Sequence, residues 1–279
     1  MPKIEAKPQK TPNYIGNKIL INALILHNDD TTEKVYAKML TKLRYNVSSI
    51  KLPKEGNISQ SFALKLREQI LHTDLLICSG KSYFNNSHDS FYNALHNPVV
   101  LDALNQHLFS NQGLVLCTGE GSRAFLELGY LACGSAELGK PKNLELKENL
   151  QKETSAKIPK VIIVNNHSPF LREVDTSKSY YVASAGERLK FTFTDEVRRI
   201  LVACGQPAMQ FIDYLGYPTI IYPDNPYGSQ RGIAGITSPD GRVLGIFGMP
   251  ELVVNIEGDG SLLEQILTSA KNYFYKGEL

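Results

Sequence analysis

The chain has 279 residues, of which 42% are hydrophobic and 21% charged, and its formal net charge is +2 at pH 7. This composition excludes collagen-like, coiled-coil and disordered chains, and the charge excludes the strong basic excess that nucleic acids or acidic lipids attract. No apolar run reaches the roughly 18 residues of a membrane-spanning helix. Four cysteines without CxxC spacing need no disulfide framework. We therefore expect a soluble, cytoplasmic protein that binds neither nucleic acid nor membrane.

The first half of the chain alternates short apolar runs with helical patterns. The apolar runs predict buried strands at 19–28, 47–52, 74–80 and 113–119. Amphipathic patterns predict the intervening and following helices at 31–45, 59–71, 99–111 and 122–132. This alternation indicates βαβ units around a parallel sheet. Residues 1–16, rich in proline and lysine, are expected to form a flexible lead-in to a single domain over 17–279.

The second half has a different pattern. A lysine-rich polar stretch at 140–160 is expected to be a surface excursion. Closely spaced strand-like pieces follow it at 160–166, 179–184, 188–194, 208–215, 219–223, 233–238 and 242–248. Turn signals between them favour antiparallel pairing, and an amphipathic helix closes the chain at 261–275. The predicted fold is a three-layer α/β sandwich with a mostly parallel central sheet and an antiparallel elaboration in the second half.

Three strand ends at the predicted sheet edge could carry chemistry, at 78–85, 116–125 and 245–251. Cys117 lies where a strand runs into a glycine turn and then a helix, which is the geometry of a nucleophile elbow. The helix dipole would lower the pKa of a thiol there. A buried cysteine at a strand end is, however, more often a small apolar filler. The local pattern favours a structural role for Cys117 but leaves the nucleophile hypothesis open.

Several segments resemble the glutaminase part of formylglycinamidine ribonucleotide synthase, a purine-pathway enzyme. The segment 223–251, PDNPYGSQRGIAGITSPDGRVLGIFGMPE, is similar to that family's NPNGS turn, IAGI-type strand and closing MPHPE motif. Weaker likenesses extend over most of 19–274, in the segments ICSGKSYFN, SRAFLELGYL, NNHSPFLREVD, SAGER and DGSLLEQILTSAKNYF. The resemblance implies a class I glutamine amidotransferase fold of the flavodoxin-like type, with no cofactor and no metal. It also implies a Cys-His-Glu triad.

The triad implied by the resemblance is incomplete in this sequence. The histidine position of the MPHPE motif is Met249, whereas the glutamate is kept as Glu251. No histidine follows His167, so none nearby replaces the imidazole. Alignment from the following helix places the nucleophile at Gly119, and alignment from the strand places it at Cys117. We favour Gly119, because an elbow tolerates poorly the two-residue insertion that the second alignment needs.

The resemblance also indicates a ligand pocket whose residues differ from the family pattern. Lys81 crowds a loop that needs bare backbone amides, and the HGE motif of the family reads Ala-Gly-Glu187 here. The NPNGS turn is kept as NPYGS. The predicted pocket residues are Gly80, Glu120, Arg123, Glu187, Asn225 and Ser229.

Three functions follow as hypotheses. The first is a glutaminase-like subunit or paralogue without glutaminase activity, which binds a synthetase-type subunit of the purine pathway and holds a small molecule in its residual pocket. The second is an active glutamine amidotransferase that uses Cys117 and supplies ammonia to a synthetase. The third is a cysteine-dependent hydrolase or redox enzyme that pairs Cys117 with Glu120. A metal site at His27, Asp29 and Asp30 is disfavoured, because aspartates after a strand usually cap helices.

Overall fold

The structure, a computed structural model, describes residues 14–15, 18–53, 57–80, 90–149, 157–184 and 188–275. Most of the expected lead-in over 1–16 lies outside these ranges. The strands are β1 (Tyr14–Ile15), β2 (Lys18–Ile19), β3 (Asn22–His27), β4 (Asn46–Lys51), β5 (Leu75–Gly80), β6 (Leu114–Gly119), β7 (Leu144–Lys147), β8 (Lys160–Ile163), β9 (Ser179–Tyr181), β10 (Lys190–Phe193), β11 (Pro207–Ile212), β12 (Ile233–Thr237) and β13 (Val243–Ile246). The helices are α1 (Asp30–Lys42), α2 (Gln60–Leu71), α3 (Ser90–Leu95), α4 (Pro98–Asn105), α5 (Glu120–Glu127), α6 (Tyr130–Cys133), α7 (Asp195–Ala203), α8 (Val254–Glu257) and α9 (Leu262–Tyr275).

A nine-stranded sheet organises the described residues, with strand order β4-β3-β5-β6-β13-β12-β11-β8-β9. The neighbours from β4 to β13 pair in parallel. Those from β13 to β9 pair antiparallel. Two small antiparallel ribbons, β1-β2 and β7-β10, lie outside this sheet. The predicted division into a parallel half and an antiparallel half is therefore confirmed.

The parallel half is organised around two central strands, β5 and β6, that are buried on both faces. Every residue of β5 and β6 is buried, which requires cover on both sides of the sheet. The flanking helices begin where the sequence provides a cap. The side chain of Asp29 accepts hydrogen bonds from the first turn of α1, and Ser59 accepts one from Phe62 N in α2. This layered packing fixes the ends of β5, β6 and β13 at one edge.

The structure also corrects three of the sequence predictions. The strand expected at 219–223 is absent, because the chain there turns to bring Asn225 N to the carbonyl of Ile221, 2.9 Å away. The lysine-rich stretch contains β7, which pairs with β10. Helix α7 was not predicted, although Thr194 caps it and two acidic residues begin it. Within the described ranges, no helix is long and apolar enough to cross a membrane.

Candidate functional site

Three strand ends meet at one edge of the sheet. β5 ends at Gly80 and β6 ends at Gly119, and the two glycines are register partners on parallel strands. β13 pairs with β6 on its other side and ends at Ile246, shortly before Met249. A Cβ built on Gly119 would lie 3.6 Å from Cγ of Met249. This separation is far below about 15 Å, the upper limit that we set for two residues of one site.

Gly119 is the apex of the turn from strand to helix. It is the last residue of β6 and the N-cap of α5. Its backbone has φ 54° and ψ −121°, a conformation that glycine adopts with little strain and most other residues adopt rarely. The turn therefore has the strand-turn-helix form of a nucleophile elbow. The residue at its apex has no side chain.

The carbonyl oxygen of Gly80 occupies the space beside that apex. A Cβ on Gly119 would lie 2.4 Å from this oxygen, which is too close for any side chain without movement of the backbone. Gly80 is confined in turn, because its own Cβ would lie 2.4 Å from Cε2 of Phe91 and 2.6 Å from Oδ1 of Asn28. An oxyanion is stabilised by hydrogen-bond donors, whereas a carbonyl oxygen only accepts. At Gly80 the edge therefore presents the wrong polarity to an oxyanion.

Met249 fills the third position at this edge. Its side chain is fully buried, and its backbone exchanges two hydrogen bonds with Ala183, at 2.9 Å and 3.3 Å. A thioether is a weak acceptor that takes no proton at neutral pH. This side chain therefore packs the site without supplying acid–base chemistry.

Glu251 is held by three hydroxyl groups. Its Oε1 accepts hydrogen bonds from Oγ of Ser79 at 2.6 Å and from Oγ1 of Thr118 at 2.8 Å. Its Oε2 accepts one from the Tyr36 hydroxyl at 3.4 Å. The carboxyl group is almost completely buried. It thus ties together β5, β6 and α1, and among the described residues no imidazole lies within its hydrogen-bond reach.

Burial sets the protonation of this cluster. It raises the pKa of the Glu251 carboxyl above its ordinary value, and the three hydroxyl bonds oppose that shift only in part. The pKa of Tyr36 is also raised, first by burial and then by the neighbouring Glu251 charge. Both groups therefore favour their neutral forms more than they would in water.

Cys117 lies inside β6 rather than at its end. The thiol is fully buried, and the register partner of Cys117 on β5 is Cys78. Burial raises the pKa of the Cys117 thiol well above its ordinary value, and Cys78 adds to the shift. Since the thiolate is the nucleophile, such a thiol has low intrinsic reactivity at neutral pH.

Glu120 and Arg123 form an ion pair on the first turns of α5. Nε of Arg123 donates to Oε2 of Glu120 at 2.8 Å, and both side chains are largely buried. Oε1 of Glu120 has no hydrogen-bond partner among the described residues. Arg123 also lines an open cavity of about 590 Å³, together with Lys147 and Lys190. The lining also contains Glu127 and Glu148, so the cavity presents charges of both signs.

Asn225 and Ser229 use their side chains to build the turn. Oδ1 of Asn225 accepts from the amides of Gly228 and Ser229, at 3.0 Å and 3.1 Å. Nδ2 of Asn225 donates to the carbonyls of Ser229 and Thr219, at 2.8 Å and 3.3 Å. Oγ of Ser229 accepts from Phe191 N at 3.1 Å. These two predicted pocket residues therefore have their polar atoms engaged within the protein.

Two predictions cannot be placed in the site. Glu187 and Lys81 lie outside the described residues. In the part of the chain that the structure describes, no group of three His, Cys, Asp or Glu side chains could hold a metal ion. Conversely, the sequence prediction missed the hydroxyl groups around Glu251. Ser79 and Thr118 could have been found as polar residues at strand ends, whereas Tyr36 has no such signal because it lies within α1.

A family model and curated proteins match this chain. The model of the CobB/CobQ-like glutamine amidotransferase domain matches residues 71–261. Phosphoribosylformylglycinamidine synthase of Drosophila melanogaster is 32% identical over 166 residues, which is 57% of this chain and 12% of the fly protein. The synthase of the same name from Saccharomyces cerevisiae is 35% identical over 97 residues, which is 34% of this chain and 7% of the yeast protein. The aligned regions thus span a small part of these relatives.

Solved structures share the fold at low sequence identity. The structure of PurLQS from Thermotoga maritima matches with a TM-score of 0.62 at 16% identity, covering 92% of this chain and 100% of that one. The crystal structure of a putative GMP synthase component from Thermoplasma acidophilum matches with a TM-score of 0.53 at 9% identity, covering 94% of this chain and 100% of that one. The domain match over 71–261, which is more than half of the chain, shows that the chain belongs to the CobB/CobQ-like glutamine amidotransferase family.

Proposed function

We propose that this protein is a glutaminase-type subunit, related to that of phosphoribosylformylglycinamidine synthase, that lacks glutaminase activity and serves a binding or structural role. The observation that carries this proposal is the elbow. Its apex is Gly119, and the Gly80 carbonyl oxygen lies only 2.4 Å from the position that the Cβ of a nucleophile would take. An elbow in this state offers neither a nucleophile nor room for one.

The acid–base groups support the same conclusion. Attack on an amide requires a base that forms the thiolate and an acid that protonates the departing ammonia. Met249 can do neither. Glu251, which the resemblance assigns to orienting an imidazole, instead accepts hydrogen bonds from Ser79 and Thr118. The buried Cys117 has a raised pKa and no described base beside it, so it does not restore the missing chemistry.

The partner that we propose is a synthetase-type subunit of the purine pathway, in the cytoplasm. The curated relatives are synthases in which the matching region is a small part of a much longer polypeptide. The similarity to a region of these synthases supports association with a synthetase subunit.

Ammonia release from glutamine tests the loss of activity. Purified protein is incubated with glutamine, alone and with the synthetase subunit of the same genome, and ammonia is measured by a coupled enzymatic assay. We expect no release above the protein-free blank, and the same result for Cys117→Ala. Glutamine-dependent release that Cys117→Ala abolishes would overturn the proposal and assign Cys117 as the nucleophile.

The binding role is tested separately. The two purified proteins are mixed and analysed by size-exclusion chromatography with light scattering. Co-elution at the summed mass supports the proposed partner. Independent elution at all concentrations contradicts the partner and leaves the result of the ammonia assay unaffected.

A further inference from the structure

The segment after β11 exposes a concentration of large apolar side chains. Five side chains within 214–221 are 63–89% exposed, namely those of Tyr214, Leu215, Tyr217, Ile220 and Ile221. Together they present on the order of 600 Å² of mostly apolar surface, the upper end of the largest patch on a typical monomer. We call residues 213–221 the apolar hairpin.

The apolar hairpin is held in one conformation by hydrogen bonds from its backbone amides. Oδ1 of Asp213 accepts from the amides of Leu215 and Tyr217, both at 2.9 Å. Asp213 N donates to the Tyr217 carbonyl at 2.9 Å, and Thr219 N donates to the Phe211 carbonyl at 2.9 Å. Because these bonds fix the backbone, little conformational entropy is lost when the hairpin binds a partner.

A cavity of about 490 Å³ adjoins the apolar hairpin and includes Ile220 in its lining. Phe193 adds an aromatic surface to it, and Arg198 and Arg231 add two guanidinium groups. Guanidinium groups and apolar surfaces are favourable neighbours for an aromatic ring. The cavity therefore has the chemistry to receive a tyrosine side chain.

We propose that the apolar hairpin and this cavity form the contact between two copies of the chain. In a two-fold dimer the same patch faces itself, so a projecting group on each copy must fit a recess on the other. Here Tyr214 provides the projecting ring, being 89% exposed. The recess is the cavity that Ile220 lines, and Ile220 belongs to the same segment as Tyr214. The patch also carries charges of both signs: Asp195 forms an ion pair with Arg198 at 3.0 Å within the chain, and Arg231 lines the cavity beside them.

The expected size of this contact agrees with a reversible dimer. Two hairpins and their receiving cavities would bury about 1,200 Å² or somewhat more, the lower end of the range for specific interfaces. Such a dimer dissociates on dilution. This inference does not depend on the proposed function, since it concerns the isolated chain and involves none of the residues near Gly119.

The test measures the mass of the full chain by sedimentation velocity between about 1 and 100 μM, a range that covers micromolar affinity. We expect the mass to rise from 31.1 kDa towards twice that value. Tyr214→Asp is expected to abolish the rise. Leu138→Asp is the matched control, because Leu138 is also apolar and 72% exposed but lies elsewhere. Thermal unfolding by circular dichroism verifies that each variant is folded.

A mixing experiment tests the proposed geometry. Tyr214→Asp removes the projecting ring and Ile220→Asp alters the cavity, so each variant alone should be monomeric. A mixture retains one intact ring-and-cavity contact in each heterodimer, and partial recovery of the dimer is expected. A monomeric unmodified chain at 100 μM (about the top of the range), an equal loss of dimer in Leu138→Asp, or no recovery in the mixture would each overturn the proposal.

Discussion

The elbow at Gly119 and the turn at 225–229 lie in segments that resemble the same family, yet they differ in what their side chains do. Both contain a glycine with positive φ, 54° at Gly119 and 72° at Gly228. At the turn, the Asn225 side chain makes four hydrogen bonds that hold the backbone. At the elbow, the backbone has the conformation of a nucleophile elbow, but Gly119 has no side chain that could act as a nucleophile.

This difference separates residues that the fold requires from residues that only a reaction would require. The turn needs its asparagine for folding, because the hydrogen bonds of a buried polar group must be satisfied within the protein. The elbow is held by strand pairing and by the start of α5, so its form does not depend on a side chain at Gly119. A reactive group can therefore be absent there while the fold remains.

The largest expected effect concerns access to the elbow strand. Because Cys117 is buried within the central sheet, it can react only after substantial opening of the native structure. We expect iodoacetamide at neutral pH to label Cys117 at least about a thousandfold more slowly than the exposed Cys204. Peptide mass spectrometry over a time course provides both rates from one sample. If Cys117 were labelled rapidly and glutamine prevented the labelling, Cys117 would be a reactive group at the elbow. The elbow would then no longer differ from the turn in lacking a functional side chain.

The second effect tests the turn itself. Asn225→Ala removes the acceptor of two backbone amides and the donor to two carbonyls, and should lower the free energy of unfolding by about 3 kcal/mol. Asn57→Ala is the matched control, because Asn57 is exposed and lies outside the helices and strands, and it should change stability by less than about 0.5 kcal/mol. Urea denaturation measures both. Equal effects of the two variants would show that the turn does not depend on this side chain.

The third effect measures the space at the elbow. Gly119→Ala introduces both a positive φ on a non-glycine residue and a contact with the Gly80 carbonyl oxygen. Gly139→Ala introduces only the first, because Gly139 has φ 64° and nothing within 4 Å of its Cβ position. We expect losses of about 2–3 kcal/mol and about 1 kcal/mol, respectively, in urea denaturation. If the two losses are equal, the Gly80 carbonyl does not restrict the apex.

The smallest effect is the pH dependence that Glu251 contributes. Its raised pKa means that the folded state binds this proton more tightly than the unfolded state does. The corresponding stability is complete below the ordinary pKa and is lost as the pH rises through the raised folded value. A glutamine at this position does not titrate, so the Glu251→Gln variant keeps its stability while the unmodified protein loses some. The stability of the variant relative to the unmodified protein should therefore increase from pH 4 to pH 8 (roughly the span of the titration).

Glu68→Gln provides the control for that titration. Glu68 is exposed on α2, so Glu68→Gln controls for the exchange of a glutamate for a glutamine. Denaturant midpoints measured at several pH values for the three proteins give the comparison. A Glu251→Gln variant that follows the unmodified protein at every pH would show that the hydroxyl bonds cancel the effect of burial.

Much of the fold could be predicted from the sequence, because its strongest determinants are local. The apolar runs that became β5 and β6 are buried on both faces, and α1 and α2 begin within one residue of their predicted starts at 31 and 59. The exceptions depend on tertiary structure. Ile220 and Ile221 have strand-like side chains but lie in an exposed turn.

The site was less accessible to prediction. The motifs indicated that Gly119, Met249 and Glu251 belong together, and the structure places them at one sheet edge. The sequence did not indicate that Tyr36 would reach Glu251, because a contact between residues so far apart in the chain has no local pattern. The position of the Gly80 carbonyl is likewise a property of packing.

The Gly80 carbonyl also restricts the order in which substitutions could introduce catalysis. A cysteine at Gly119 is obstructed until the backbone at Gly80 moves, and a histidine at Met249 has no free carboxylate to orient it until Glu251 leaves its hydroxyl partners. Each change alone therefore carries a loss of stability before any chemistry is gained. Under the proposed function, a directed-evolution experiment that selects single substitutions for ammonia release should therefore yield no active variant.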